Sequence, residues 1–429
     1  MVESIAIMPP LQVLFGRYDI MLLSLGKKGM GIIMKKMLSL ALTVAMILGV
    51  TSGCKKKIPK FELEVGDIIT MGKYEDEDIE WEVMHRNFVI GEDKVIVELQ
   101  STCAIECLPF NEDGESSWED CTLREWLNND FFEEAFTKSE KKSIIDTSYS
   151  MYTGDARWLT DKVFLPEYLR YRMNPQDATC EPTDHTEDLG IQMENGSCKF
   201  WTRDVNLMRS AGGGTSVGSF VMCLGTKSNN SGHGPDGLFT AEDVGVRPVI
   251  SVECEGTFEM KDIDVADRIT FGTYSEEPIT WVVFDKDKNG ITVVSKYALD
   301  KMKMNKKDVV DFADSSLHDW LNEEFYEDAF TDKQKKLIVA DEDDDSVTLP
   351  EKVTVKDFER EFLYEMLTGY SKSFCEENDV AEGDSLAASW CKGRSKNNKA
   401  FLTLDLARGG RAANADQEIG VRPMITIKF

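Results

Sequence analysis

The chain contains the same long pattern twice. The segment from Ile69 to Tyr74 (ITMGKY) returns 200 positions later as ITFGTY, and residues 123–145 agree with 317–339 at 12 of 23 positions. A unit of this length exceeds the ~20 to 50 residues of a solenoid repeat and is long enough to bury a core of its own. The sequence therefore predicts two tandem domains, at 63–254 and 263–429, joined by a linker at 255–262.

The ends of each copy have the pattern of β-strands. In the first copy, residues 67–73, 79–84 and 94–99 are rich in β-branched and aromatic side chains that alternate with polar ones, which favours hairpins. Similar stretches return at 219–224 and 245–252, separated by segments rich in Gly, Ser and Asn. Each copy is therefore expected to begin and end with strands.

Helix signals lie between these strands. Thr122 stands three positions before Glu125, and Thr137 three before Glu140, which is the spacing of a capping box. The second copy has the same spacing at Ser316 with Asp319 and at Thr331 with Gln334. Strands, then helices, then strands predict an α+β fold in each copy rather than alternating βαβ units.

The N-terminal region contains an apolar run at 37–50. Its length of about 14 residues is short of the ~20 that a membrane-spanning helix needs. Lys35 and Lys36 precede the run, and the small residues 51–53 follow it, as in a secretory signal. This layout resembles a bacterial lipoprotein signal, which implies that the next residue, Cys54, is lipidated. An uncleaved anchor or a buried segment is the alternative.

These features predict the processing of the chain. We expect translation to begin at Met34, so that 1–33 is a start-site misassignment, 34–53 the signal peptide and 54–62 a basic tether. The protein is then expected outside the cytoplasm, where lipid anchors it to the outer face of the cytoplasmic membrane at the cell surface.

Charge and missing motifs exclude several function classes. The formal net charge of -28 repels phosphate backbones, which excludes nucleic acid as a partner. With four histidines and no CxxC spacing, a metal site has little support. The sequence has no nucleophile elbow, Walker loop or dinucleotide fingerprint, so we expect no cofactor and no catalytic residues.

The cysteines fit an exported protein, in which disulfides are common. Cys180 and Cys198 recur at similar places in the second copy as Cys375 and Cys391, which predicts one disulfide in each copy. A further pair flanks the loop before the first helix and has no counterpart in the second copy. The candidate disulfide residues are therefore Cys180, Cys198, Cys375, Cys391, Cys107 and Cys121.

Four motifs of the first copy carry a resemblance to a known family. They are the GDIIT run at Gly66, the TLREWLN segment within 118–128, the FWTR strand at 200–203 and the closing Val-Arg-Pro at 246–248. Together they resemble an uncharacterised family of exported bacterial domains, whose marker is Trp-Leu-Arg-Ser-Pro-Gly followed by Val-Arg-Pro. Its element order is similar to the C-type-lectin-like fold, which formylglycine-generating enzymes share. The resemblance implies two tandem C-type-lectin-like domains with long loops after the late strands.

The late part of the first copy is where we expect a ligand. Trp201 and Arg203 stand before a glycine-rich stretch, and the polar residues that follow are Asn229, Asn230, His233 and Asp236. Sugar recognition uses an aromatic face with nearby amides and a carboxylate, because the ring covers C–H groups while the polar groups bind hydroxyls. Core packing is the alternative role for Trp201.

The favoured function is an exported, lipid-anchored surface binding protein that recognises a glycan, a wall polymer or a protein partner. One alternative is a structural or adhesive spacer without a small ligand. A second is an enzyme of the formylglycine-generating type, which needs a copper-binding pair of cysteines on the late strands. Only Cys223 occupies such a position in the first copy, which disfavours that chemistry.

Overall fold

The structure is a computed structural model of the chain. The residues it describes are 62–112, 117–151, 158–167, 170–171, 179–194, 196–207, 219–224, 236–238, 243–306, 311–351, 368–378, 388–394, 401–404 and 411–429. The predicted start-site and signal segments and Cys54 lie outside these residues. We call residues 62–254 the first half and 263–429 the second half.

Strands predominate in the described part of the first half. They are β1 (Ile68–Tyr74), β2 (Glu77–Val89), β3 (Lys94–Ser101), β4 (Cys103–Ala104), β5 (Glu106–Leu108), β6 (Thr147–Ser150), β7 (Trp158–Asp161), β8 (Val163–Phe164), β9 (Glu181–Pro182), β10 (Met193–Glu194), β11 (Ser197–Cys198), β12 (Phe200–Leu207), β13 (Ser219–Leu224), β14 (Asp236–Leu238), β15 (Val244–Val246) and β16 (Val249–Cys254). The predicted strands at 67–73, 79–84 and 94–99 correspond to β1, β2 and β3.

The second half has fewer described strands. Its described strands are β17 (Arg268–Tyr274), β18 (Glu277–Lys286), β19 (Gly290–Ser295), β20 (Asp300–Lys303), β21 (Ile338–Val339), β22 (Ser389–Arg394), β23 (Phe401–Leu404), β24 (Arg411–Ala413), β25 (Glu418–Val421) and β26 (Met424–Lys428). The predicted linker at 255–262 lies between β16 and β17 and ends in a 3-10 turn at Met260–Asp262.

The helices are short. Those of the described residues are α1 (Thr122–Trp126), α2 (Phe132–Ala135), α3 (Glu140–Ser143) and α4 (Asp184–Asp188) in the first half, then α5 (Ser316–Trp320), α6 (Tyr326–Ala329), α7 (Asp332–Lys335) and α8 (Lys372–Glu377) in the second. A π-helical turn, Leu127–Phe131, joins α1 to α2, and Leu321–Phe325 joins α5 to α6 in the same way. A further 3-10 turn is Phe312–Asp314.

The helix caps differ from the sequence prediction by one residue in two places. The Sγ of Cys121, rather than the side chain of Thr122, accepts the hydrogen bond that starts α1. Ser315 has the same role at α5. The predicted capping box of Thr331 with Gln334 is confirmed, with both reciprocal hydrogen bonds present at α7.

One ten-stranded sheet runs through both halves, in the order β21-β26-β19-β18-β17-β2-β3-β16-β8, with β1 also paired to β2. The join is a parallel pairing of β17 with β2, in which Ile269 lies opposite Phe88. Arg86 on β2 crosses this join and donates from Nε and Nη2 to the carboxylate of Asp267, at 2.9 and 2.6 Å. Both side chains of this ion pair are buried. The halves therefore share a sheet and a buried charge pair.

Each half also has a five-stranded sheet of its own. The order is β14-β13-β12-β15-β5 in the first half and β24-β23-β22-β25-β20 in the second, so equivalent strands occupy equivalent places. The described chain is thus a mixed structure of strands and a few short helices, with the strands in open sheets. Among the described residues, no helix is long and apolar enough to cross a bilayer.

Buried tryptophans anchor the elements of both halves. The indole N–H of Trp81 donates to the Met71 carbonyl at 2.8 Å, and that of Trp281 donates to Phe271 at 2.6 Å. Each bond ties the second strand of a half to the first. A buried indole with a satisfied N–H is stabilising because its large apolar surface leaves water without leaving an unpaired donor.

Candidate functional site

Trp201 lies in the core and not on a ligand surface. Its side chain is 0% exposed, and its N–H donates to the carbonyl of Leu108 at 2.9 Å. The ring packs edge-on against Phe110, with 5.7 Å between centroids. A sugar needs an accessible ring face, so the structure corrects the expected ligand role of Trp201 to core packing.

Most of the other predicted ligand residues lie outside the part of the chain that the structure describes. Asn229, Asn230 and His233 lie outside the described residues, and Asp236 is described only as backbone in β14. Arg203 is buried, and its Nη1 donates to the Leu165 carbonyl at 2.9 Å. Of the predicted set, only Arg203 reaches a cavity of the described structure.

That cavity is a cleft between the two halves. Its cavity volume is about 70 Å³, and it is open to solvent on one side. The first half contributes residues of β2, β3 and β6 and of the segment around Pro166, while the second half contributes residues near the start of β17 and after β19. Its lining residues are Met84, Glu98, Gln100, Thr147, Tyr149, Ser150, Phe164, Pro166, Glu167, Arg170, Arg203, Val249, Arg268, Lys296, Tyr297 and Thr368.

Basic groups outnumber acidic ones among the described lining residues. These include four basic side chains, Arg170, Arg203, Arg268 and Lys296, and two carboxylates. Glu98 Oε2 lies 3.4 Å from Arg268 Nη1, and Glu167 Oε2 lies 3.2 Å from Arg203 Nη2. The cleft is therefore a locally cationic place in a strongly acidic protein.

The floor of the cleft is buried and joined by hydrogen bonds. The Arg203 guanidinium lies over the ring of Tyr149, 4.7 Å from its centroid. The hydroxyl of Tyr149 donates to Asp161 and accepts from the indole N–H of Trp118 at 2.6 Å. Burial, with the nearby Asp161 charge, raises the pKa of Tyr149 well above its usual value, so the hydroxyl stays protonated. These contacts hold Arg203 in one orientation before any ligand arrives.

A buried arginine positions the second-half wall. Arg422, of the second Val-Arg-Pro, donates from Nη1 to the Lys296 carbonyl and from Nη2 to the Thr368 carbonyl, the latter at 2.5 Å. Burial lowers its pKa to about 10, so it remains charged at neutral pH. Because one guanidinium binds both carbonyls, the chain segments that carry Lys296 and Thr368 are held beside each other.

Equivalent backbone hydrogen bonds in the two halves show which cleft residues differ between them. The backbone N–H of Lys296 donates to the Thr280 carbonyl at 2.8 Å, as that of Thr102 donates to Glu80 at 2.9 Å. Lys296 therefore occupies the place of Thr102. On β17, Arg268 similarly corresponds to Ile68 of β1, because the adjacent isoleucines face Trp281 and Trp81.

Sequence reasoning missed Arg170, Arg268, Lys296 and Tyr297. Alignment of the two copies could have shown that Arg268 and Lys296 replace an isoleucine and a threonine, which is a weak signal on its own. The parallel pairing of β17 with β2 then brings them beside Arg203, and nothing in the local pattern indicates that pairing. Within the described residues, no group of three His, Cys, Asp or Glu side chains is arranged to hold a metal ion.

Cys180 and Cys198 lie close together. The N–H of Cys198 donates to the carbonyl of Cys180 at 2.8 Å, and both cysteines are buried. Both are free thiols in the structure, and their disulfide stays a prediction. Peptide mapping without reduction would test it.

The second-half pair does not occupy equivalent places. The N–H of Ser373 donates to Glu277, as that of His185 donates to Glu77, so Ser373 is equivalent to His185. Two residues further on, Cys375 therefore corresponds to position 187 and not to Cys180. Trp390 corresponds to Trp201, since its indole N–H also donates to a β-strand carbonyl at 2.8 Å. Cys391 therefore corresponds to position 202. These equivalences differ from the sequence alignment that suggested a bond between Cys375 and Cys391. The bond itself stays a prediction, but the alignment no longer supports it.

Cys121 has a structural role that can be measured. Its Sγ accepts the Arg124 N–H at 3.4 Å, and burial raises the pKa of the thiol to about 12. Because serine caps the equivalent helix, Cys121→Ser is expected to change the free energy of unfolding by less than about 1 kcal/mol, while Cys121→Ala lowers it by about 1 kcal/mol. Chemical denaturation measures both, with Ser315→Ala as the matched control.

A larger loss would have another meaning. If Cys121→Ser lowers the free energy of unfolding by about 2 to 5 kcal/mol, Cys121 is disulfide-bonded rather than a free cap. Cys107, the predicted partner, lies on β5, where burial raises the pKa of its thiol to about 11.

Comparison with known proteins places a family in the first half. No match was found among curated proteins or among solved structures. Residues 109–254 match the family model of a domain of unknown function (DUF6273). This span includes α1 to α4 and the cleft residues Tyr149, Arg170 and Arg203, but it stops before Arg268 and Lys296. Residues 109–254 are thus similar to a DUF6273 domain, and this span contributes part of the first-half wall of the cleft.

Proposed function

We propose that the protein is an exported, lipid-anchored binding protein of the cell surface, and that a glycan or wall polymer binds in the cleft between its two halves. The observation that carries this proposal is the cleft itself, which is concave, is lined by both halves and combines aromatic rings with fixed polar groups. Small-ligand sites in proteins have this composition.

An aromatic ring suits the cleft to a sugar. Tyr297 is half-buried and lines the cavity, and its ring packs edge-on against Trp158 of the first half at 4.7 Å between centroids. This contact fixes the ring across the join between the halves. A fixed, partly exposed ring covers the C–H face of a sugar at little entropic cost.

The proposal includes the origin and the anchoring of the chain. The equivalent sheet orders and hydrogen bonds of the halves support tandem copies of one domain, for which we keep the C-type-lectin-like fold as a proposal. The lipid on Cys54 rests on the signal-like sequence alone. Mass spectrometry of the native N-terminal peptide tests it, since an unmodified Cys54 or a peptide from 1–33 contradicts the processing that we expect.

A spacer without a ligand is the second candidate, because a ten-stranded sheet that continues through both halves makes a rigid body.

Calorimetry on the full chain in detergent, titrated with glycans and wall-polymer fragments, separates the two functions. We expect at least one titrant to bind and Tyr297→Ala to weaken it by about tenfold, which is the effect of losing one stacked ring.

Tyr326→Ala is the matched control, because Tyr326 is also half-buried but lies on α6, outside the lining of the cleft. It should leave binding unchanged. If no titrant binds, or if both variants bind as well as the unaltered protein, the cleft is not the ligand site and the spacer function is favoured.

A further inference from the structure

The charge of the cleft is opposite to that of the whole chain. The protein has a formal net charge of -28, yet the described residues of the cleft lining include four basic side chains against two carboxylates. Maintaining positive charges close together costs electrostatic free energy unless an anion or a carboxylate lies among them. An excess of this kind indicates a site for a negatively charged group.

Arg170 is a donor that the described structure does not use fully. Its Nη1 lies 3.1 Å from His85 Nε2, while its buried Nε has no hydrogen-bond partner among the described residues. A buried donor without a partner costs roughly as much free energy as a lost hydrogen bond, so a ligand that accepts from it has a binding advantage. Arg170 lines the same cavity as Arg203 and Lys296.

The surroundings strengthen an ionic contact. Met84, Phe164 and Val249 contribute apolar surface to the lining, and Lys296 is only 7% exposed. In such a place the effective dielectric constant is well below that of water, and charge-assisted hydrogen bonds are stronger. Arg203 is already held by the Leu165 carbonyl and the Tyr149 ring, so its orientation needs no further ordering.

Both halves are needed to build this set of charges. Arg170 and Arg203 come from the first half, and Arg268 and Lys296 come from the second, where they replace the isoleucine and threonine of the equivalent first-half positions. Neither half alone has the set.

From these observations we infer that the cleft binds an oxyanion, a carboxylate or phosphate ester carried by an anionic glycopolymer, between cationic groups from both halves. The inference rests on the proposed function, since it names the chemical class of the ligand for the same site. Uronic acids and phosphodiester-linked polyols are two sources of such a group in polymers.

Calorimetry with three short oligomers of equal length tests the inference on the full chain in detergent. The oligomers are a uronic acid oligomer, a glycerol phosphate oligomer and a neutral glucan. We expect one of the anionic oligomers to bind at least about tenfold more tightly than the glucan, with affinity falling as ionic strength rises from about 0.05 to about 0.5 M. The anionic oligomer that binds shows whether the cleft recognises a carboxylate or a phosphate.

Three variants locate the binding. Lys296→Thr installs the residue of the equivalent first-half position and is expected to weaken anion binding by about tenfold or more. Arg170→Gln is expected to have a similar effect and serves in place of the first variant if that one fails to fold, as judged by its unfolding midpoint. Lys303→Thr makes the same chemical change on β20, outside the cleft lining, and should leave binding unchanged.

The outcomes separate the inference from the function on which it rests. If the glucan binds as tightly as both anionic oligomers and Lys296→Thr has no effect, the oxyanion site is wrong while the binding function stands. If none of the three oligomers nor any fragment of the wider panel binds, both are wrong. If Lys303→Thr weakens binding as much as Lys296→Thr, the attraction comes from the surface at large and the cleft is not the site.

Discussion

Replacing Arg86 by methionine is expected to lower the free energy of unfolding by about 3 to 5 kcal/mol, because the change leaves the carboxylate of Asp267 buried without its partner. The pair joins the halves at 2.6 Å, and Asp267 is 4% exposed. Burial raises the pKa of Asp267 although the hydrogen bonds from Arg86 oppose that shift. Removal of Arg86 therefore leaves desolvation uncompensated.

The second half offers a matched control. Lys286 occupies the position of Arg86 and pairs with Asp264 at 2.8 Å, but Asp264 is largely exposed. Lys286→Met is expected to change the free energy of unfolding by less than about 1 kcal/mol, since exposed pairs contribute little. Chemical denaturation of the full chain measures both variants.

A double variant sharpens the test. If Arg86→Met is combined with Asp267→Leu, no buried charge remains, and much of the lost stability should return. If Arg86→Met alone is as stable as the unaltered protein, the pair is not buried in solution and the join between the halves differs from the one described here.

Trp201→Ala is expected to lower the free energy of unfolding by about 3 to 5 kcal/mol, as for other buried tryptophans. The indole is fully buried, packs against Phe110 and donates to Leu108. Trp201→Phe keeps most of the packing but leaves that carbonyl without its donor, for an expected loss of about 1 to 3 kcal/mol.

Trp126 provides the comparison, because it is only partly buried between Tyr74 and Phe131. Trp126→Ala should destabilise the protein less than Trp201→Ala does. If Trp201→Ala retains full stability and instead loses binding of a glycan, the ligand role expected from sequence is right and the core assignment fails.

Local patterns predicted much of the secondary structure. The strands β1 to β3 and the helical block after Cys121 follow alternation and capping signals that act within a few residues. The turn between β1 and β2 was harder to predict from the sequence. Glu75 and Asp76 both have positive φ, at 43° and 65°, and neither is the glycine that such a turn favours. The same turn recurs at Ser275 and Glu276, so strand pairing compensates for its strain.

The predicted site was only partly right for a physical reason. Trp201 and Arg203 are two positions apart in sequence, and their types suit a sugar, but burial depends on what packs against a strand. Trp201 packs against Phe110 and bonds the Leu108 carbonyl, while Arg203 lines the cleft between the halves. The cysteine alignment failed in a similar way, because loops of different length shift residues relative to the hydrogen bonds that define equivalence.

The sequence by itself determined the domain-length repeat, the order of strands and helices, and the acidic charge, because these depend on composition and on contacts between near neighbours. Only the tertiary structure decided that β17 pairs in parallel with β2, which places Arg268 and Lys296 of the second half beside Arg170 and Arg203 of the first. Parallel pairing joins strands 181 residues apart, as from Asn87 to Arg268, and its free energy comes from backbone hydrogen bonds that every sequence can make. The geometry of the sheet therefore brings these side chains together, and no local sequence pattern predicts that they meet.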